Sequence, residues 1–128
     1  MNIEEFRNYC LSFPGVHDKL AFLNTKSEYD RGLLAFYVLD KWFCLVNVDY
    51  FDFCTIKCDQ ETALELQDLY EDVQPGWHMN KKHWISVYFN RRLPDSKIKE
   101  LVHHSYEQVV ESLSRKDREQ LRRLHDED

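Results

Sequence analysis

The chain has 128 residues, 43% hydrophobic and 14% aromatic, which is one ordinary domain with material for a buried core. Its formal net charge of −6 argues against a surface coated in base for non-specific DNA binding. The apolar runs "LLAFYVL" and "WFCLVNV" fall far short of the roughly 20 residues that span a bilayer, and "MNIEEF" puts acids where a signal peptide carries bases, so a cytoplasmic protein without membrane contact is expected.

Residues 2 to 13 read as a helix, because Ile3, Phe6, Cys10 and Phe13 fall three and four apart on one face. Asn2 caps its start, Met1 staples onto Phe6, and "PG" at 14 and 15 stops it. Strand-like runs follow at 20–24, 33–39, 42–48 and 53–58, rich in β-branched and aromatic residues, with "DK" separating two of them by hairpin distance. Asp59 caps a helix of about a dozen residues with Ala63, Leu66, Leu69 and Tyr70 on one side. "QPGWHMN" turns the chain, and "HWISVYFN" (83–90) is a further strand. A helix capped by Asp95 or Ser96 then places Ile98, Leu101, Val102, Ser105, Val109 and Leu113 on one face. Residues 1–113 make one domain, and 114–128 a charged helical tail on which Leu121 and Leu124 dock.

This order predicts an α+β two-layer sandwich, an antiparallel sheet with helices packed on one face. Alternation would point Cys54, Ile56, Cys58, Ile85, Val87 and Phe89 at the helices. The opposite, open face would carry Asn47, Thr55, Lys57, Trp84, Ser86 and Tyr88, unless loops or the tail cover it or the register slips by one. The four cysteines, at 10, 44, 54 and 58, read as free structural thiols. Cys54 and Cys58 would lie about 13 Å apart along a strand, too far for two ligands of one zinc.

"IKCDQETALELQDLYEDVQPGWHMNKKHWISV" followed by "LPDSKIKELVHHSYEQVVESL" resembles the MmcQ/YjbR family of small bacterial proteins. The resemblance covers residues 1–113 and rests on "KCD" and "HMNKKHW". It implies a frataxin-like (CyaY-like) fold and a DNA-binding function through a double-wing arrangement. Where relatives carry a lysine and a glycine in the first hairpin, this chain has Tyr37 and Asp40, which weakens a DNA contact from that hairpin.

Charge is unevenly spread. Residues 57–74 hold one base and six acids, whereas 75–99 hold six bases and one acid. In "GWHMNKKHW", His78 and His83 are five apart and lack a Cys or carboxylate partner, so no metal is expected there. The acids of 59–72 are spaced like a solvated helix face. No phosphate loop, nucleophile elbow or zinc-protease helix is present, so neither an enzyme nor a cofactor is expected. The expectation is a nucleic-acid or anion contact in which Lys57, Lys81, Lys82, Arg91 and Arg92 reach phosphates. Trp77, His78, Asn80, His83, Trp84 and Tyr88 would shape that site or stack within it. A protein partner or a small anionic ligand on the same face is the alternative. Against both stands a structural role, with Trp77 and Met79 plugging the core and Asn80 making a turn.

Overall fold

The fold comes from a computed structural model whose described residues are 1–76, 79, 80 and 82–127, with side chains as far as 124. Helix α1 (Ile3–Leu11) begins where Asn2 accepts the Glu5 N–H and buries Phe6 and Cys10. Strand β1 (Val16–Leu20), the one-turn helix α2 (Glu28–Arg31) and the hairpin β2 (Leu33–Val38) and β3 (Lys41–Asn47) follow. Then come β4 (Phe53–Lys57), α3 (Gln60–Leu69), β5 (Val73–Pro75), β6 (Trp84–Tyr88), α4 (Asp95–Ser112) and α5 (Arg115–Glu127). The strands form one antiparallel sheet in the order β1-β2-β3-β4-β6-β5.

One face of that sheet carries the main core. Leu34, Phe36 and Val38, Cys44 and Val46, Cys54 and Ile56, and Ile85 and Val87 alternate onto it and meet Phe6 of α1 and Ile98, Val102 and Val109 of α4. This is the α+β two-layer arrangement expected from the sequence. At Phe43 the pairing slips: Phe36 faces Cys44 but Tyr37 faces Trp42, so Phe43 is an extra residue in its strand. The bulge lets Phe43 and Cys44, neighbours in sequence, both join the same core.

The ends of three elements differ from expectation. The run at 20–24 is not a strand. The first strand is Val16–Leu20, an edge strand whose Asp18 binds Arg7 of α1 at 2.6 Å, while Ala21 and Phe22 turn onto the other sheet face. The edge strand β5 escapes periodicity because it has three residues and ends in proline. Helix α4 starts after Pro94 without a side-chain cap, so neither Asp95 nor Ser96 fills that role. The tail docks as expected through Leu121, which is 6% exposed, but Leu124 is 39% exposed. No helix among the described residues is long and apolar enough to cross a membrane.

Candidate nucleic-acid interface

The described candidate residues lie on β4, on β6, in the turn before β6 and, for Arg91 and Arg92, just after it. Antiparallel pairing sets Lys57 opposite Trp84, Thr55 opposite Ser86 and Phe53 opposite Tyr88. These six alternate with the core-facing Cys54, Ile56, Ile85 and Val87, so the register is the one predicted from the sequence.

The face they occupy is not open along its whole length. Thr55 and Ser86 are 3% and 2% exposed, with their hydroxyl oxygens 3.4 Å apart. Asn47 is also buried. Its side-chain amide donates to the Tyr29 carbonyl, and its Oδ1 accepts the Asp49 and Tyr50 N–H groups, closing the turn between β3 and β4. Over β2 and β3 a second cluster forms, in which Phe22, Trp42 and Met79 pack on Ala35, Tyr37 and Leu45. Loops therefore cover the middle of the face, the alternative left open by the sequence.

Met79 reaches that cluster because Gly76 permits it. The Gly76 N–H donates to the Trp84 carbonyl at 3.0 Å, and a Cβ at Gly76 would come within 2.7 Å of that oxygen. Asn80 finishes the turn. Its Oδ1 accepts the Lys82 N–H, and its carbonyl accepts from His83 and Trp84. The His83 carbonyl in turn accepts the Cys58 N–H at 2.7 Å, tying the turn to β4. Trp77, His78 and Lys81 lie outside the described residues.

What stays accessible lies at the two ends of β6. At its start, Lys82 and His83 are exposed, and Lys57 and Trp84 are half-buried. At its end, Tyr88 is half-buried beneath the exposed Arg91, whose guanidinium sits 4.1 Å above the ring. From Tyr88 the aromatic contact continues through Phe53 and Tyr29 to Tyr50, which is 64% exposed. Tyr29 donates its hydroxyl to both oxygens of Asp52, and burial raises its pKa first, with the Asp52 hydrogen bond adding to it. None of Tyr29, Tyr50, Phe53 and Asp52 was read from the sequence as part of the site, because Tyr29 sits in a polar one-turn helix far from β4 in the chain.

The basic segment is less uniform than its count suggests. Lys97 pairs with Glu100 at 3.4 Å, Lys99 lies over the Tyr9 ring, and Arg92 comes within 3.9 Å of Glu71. The acids of 59–72 divide as well. Glu61, Glu65 and Asp68 are exposed on α3 as expected. Asp59 is its N-cap, held below the usual carboxylate range chiefly by the Thr62 N–H and then its hydroxyl. Asp72 is 5% exposed and accepts the Arg92 and Leu93 N–H groups at 2.8 Å each, so it is not on a solvated helix face.

The cysteines are all free and buried. Burial raises Cys44 well above the ordinary thiol range, with Cys10 and Cys54 beside it, and raises Cys58 to about 11. Thiols held neutral in this way are not nucleophiles. Among the described residues no group of three His, Cys, Asp or Glu side chains is placed to hold a metal. Ser105 on α4 donates to the Phe43 carbonyl at 2.6 Å and accepts the Lys57 N–H at 2.8 Å. Its hydroxyl thus bridges the Phe43 carbonyl of β3 and the Lys57 N–H of β4.

The YjbR family model matches residues 11–108. The uncharacterized protein YjbR of Escherichia coli K12 is 34% identical over 125 residues, covering 97% of this chain and 100% of that one. The uncharacterized protein YbdF of Escherichia coli O157:H7 is 37% identical over 70 residues, which span 55% of this chain and 57% of the relative. Among solved structures, a Deinococcus radiodurans protein of the DUF419 domain superposes with a TM-score of 0.79 at 24% identity, covering 94% of this chain and 87% of that one. A Pseudomonas syringae protein does so with a TM-score of 0.62 at 23% identity, covering 82% and 96%. At these identities the structural likeness concerns the fold.

Proposed function

This chain belongs to the YjbR family, and from that premise we propose a non-enzymatic binding protein whose ligand is the phosphate backbone of DNA. The observation that supports the reading is the pairing of a ring with a cation at each end of β6: Trp84 opposite Lys57 and beside Lys82, and Tyr88 beneath Arg91. The four residue steps from Trp84 to Tyr88 span about 13 Å of strand, or about four nucleotide steps of one duplex strand at 3.4 Å each. Cations at that separation contact phosphates several nucleotides apart, and the flat rings between them offer stacking to a base or packing to a sugar.

Fluorescence anisotropy with labelled duplex and single-stranded DNA across a salt series tests this, using a Lys82→Glu/Arg91→Glu variant. Binding at low salt, with a log–log salt slope flattened by about two units in the variant, is the expected result. No binding at low salt, or an unchanged slope, defeats it.

A second reading has its own observation. A hollow of about 360 Å³ lies beside Lys57, lined also by Cys58, Asp59, His83 and Gln108. It suits a small anionic ligand or an acidic peptide better than a polymer, although Asp59 and Glu111 on its rim oppose an anion. Shifts of the His83 ring resonances with phosphate, and none with DNA, would favour it.

A further inference from the structure

Helix α5 turns its apolar side inward and leaves a different surface outside. Leu121 joins the main core and packs on Gly15, where a φ of +74° and the approach of the Leu121 side chain leave no space for a Cβ. With Leu121 facing inward, the helical period strings Arg118, Arg122, Arg115, Arg123 and Lys116 along one arc that runs from the flank of Leu121 round to the opposite side. All five are exposed. Of the two acids in 115–123, Asp117 is half-buried, and Glu119 is exposed 3.7 Å from Arg115. Five cations thus share one rigid face over about 12 Å of helix, whereas those of residues 75–99 are scattered over a turn, a strand end and another helix.

The chemistry of this face narrows its partner. Four of the five cations are arginines, whose planar forks bind phosphate oxygens in pairs. No aromatic residue lies between 114 and 124 to stack on an unpaired base, which favours the phosphates of a duplex as the contact. Leu121 is already spent on the core, and Leu124, 39% exposed, is a single apolar side chain, too little to seat the helix in a lipid surface.

We propose that the outward face of α5 is a second phosphate-contact surface, gripping duplex DNA without regard to sequence. This rests on the DNA-binding reading above and adds a separate element to it.

The test uses the full chain with Lys116→Gln/Arg118→Gln/Arg122→Gln, since glutamine keeps helix propensity and leaves Leu121 in place. An unchanged unfolding midpoint certifies the fold. Anisotropy against two unrelated duplexes between 50 and 200 mM salt should show equal weakening for both and a slope flatter by about three units. If this variant binds like the parent while Lys82→Glu/Arg91→Glu loses binding, the inference fails and the DNA reading stands. If the parent binds no DNA, both fail. Unchanged DNA binding fails it likewise when the variant instead loses adsorption to phosphatidylserine vesicles, or self-association through the acidic face of α3, by sedimentation.

Discussion

Gly76 and Trp84 share a backbone contact that leaves no room for a side chain: a Cβ on Gly76 would lie 2.7 Å from the Trp84 carbonyl oxygen and 2.8 Å from the Trp84 Cβ. That contact starts the turn which carries Met79 over the second sheet face and presents Lys82 and Trp84 at its rim. Gly76→Ala must push two backbones apart and should cost on the order of 1–3 kcal/mol. Urea unfolding followed by tryptophan fluorescence reads it, and a midpoint equal to the parent's would contradict the contact.

Ser105 is the hinge pin between α4 and the bulged strand. Ser105→Ala leaves the Phe43 carbonyl buried without its donor and deprives the Lys57 N–H of an acceptor. A loss of about 1–3 kcal/mol is expected, with the denaturant slope unchanged because the same surface is exposed on unfolding. A loss below about half a kcal/mol would mean that water or a shift of the strand replaces the hydroxyl.

Asp72 holds the turn that positions Arg91 and Arg92 through two N–H groups, while its own carbonyl accepts from Tyr88. Asp72→Asn keeps an acceptor oxygen in place, and Asp72→Ala does not. The alanine variant should therefore be the less stable by about 1 kcal/mol or more in thermal unfolding. Equal effects from the two would show that charge, rather than the hydrogen bonds, is what the site needs.

Alkaline pH should unfold the protein earlier than its exposed groups imply. Burial raises Cys58 to about 11 and Tyr106 to about 12, each favouring the neutral form in the folded state. The unfolded chain ionises its thiols near their ordinary pKa of about 8.5 and its phenols near about 10. The stability these groups contribute is thus complete below those values and declines as pH climbs through the folded ones. Urea midpoints should hold level to about pH 8.5 and drop between 9 and 11, with part of the drop removed in Cys58→Ser. A level curve across that range would contradict the burial of the thiol.

Local pattern was enough for most of the scaffold. Alternation in 53–58 and 84–88 identified which side chains face the helices, and spacing in α1 and α4 identified what they present, because a residue's side of a strand or helix depends only on its neighbours in sequence. In α3 only Ala63 and Leu66 of the expected side are buried, and Leu69, at the helix end, is 72% exposed. The same reasoning named the residues of the second sheet face but left open whether loops cover them. Thr55, Ser86 and Asn47 are polar, yet all three are buried, Asn47 with its amide on the Tyr29 carbonyl.

The division has one physical cause. Periodicity decided the elements, their register and the chemistry at the ends of β6, since those follow from backbone geometry repeated every two or 3.6 residues. Tertiary structure decided that Met79 and Phe22 close the middle of the second face, that Tyr29 joins the rings beside Tyr88, and that five cations of α5 share one outward surface. Those juxtapositions depend on where loops cross and which side of α5 docks, and no short-range spacing in the chain records either.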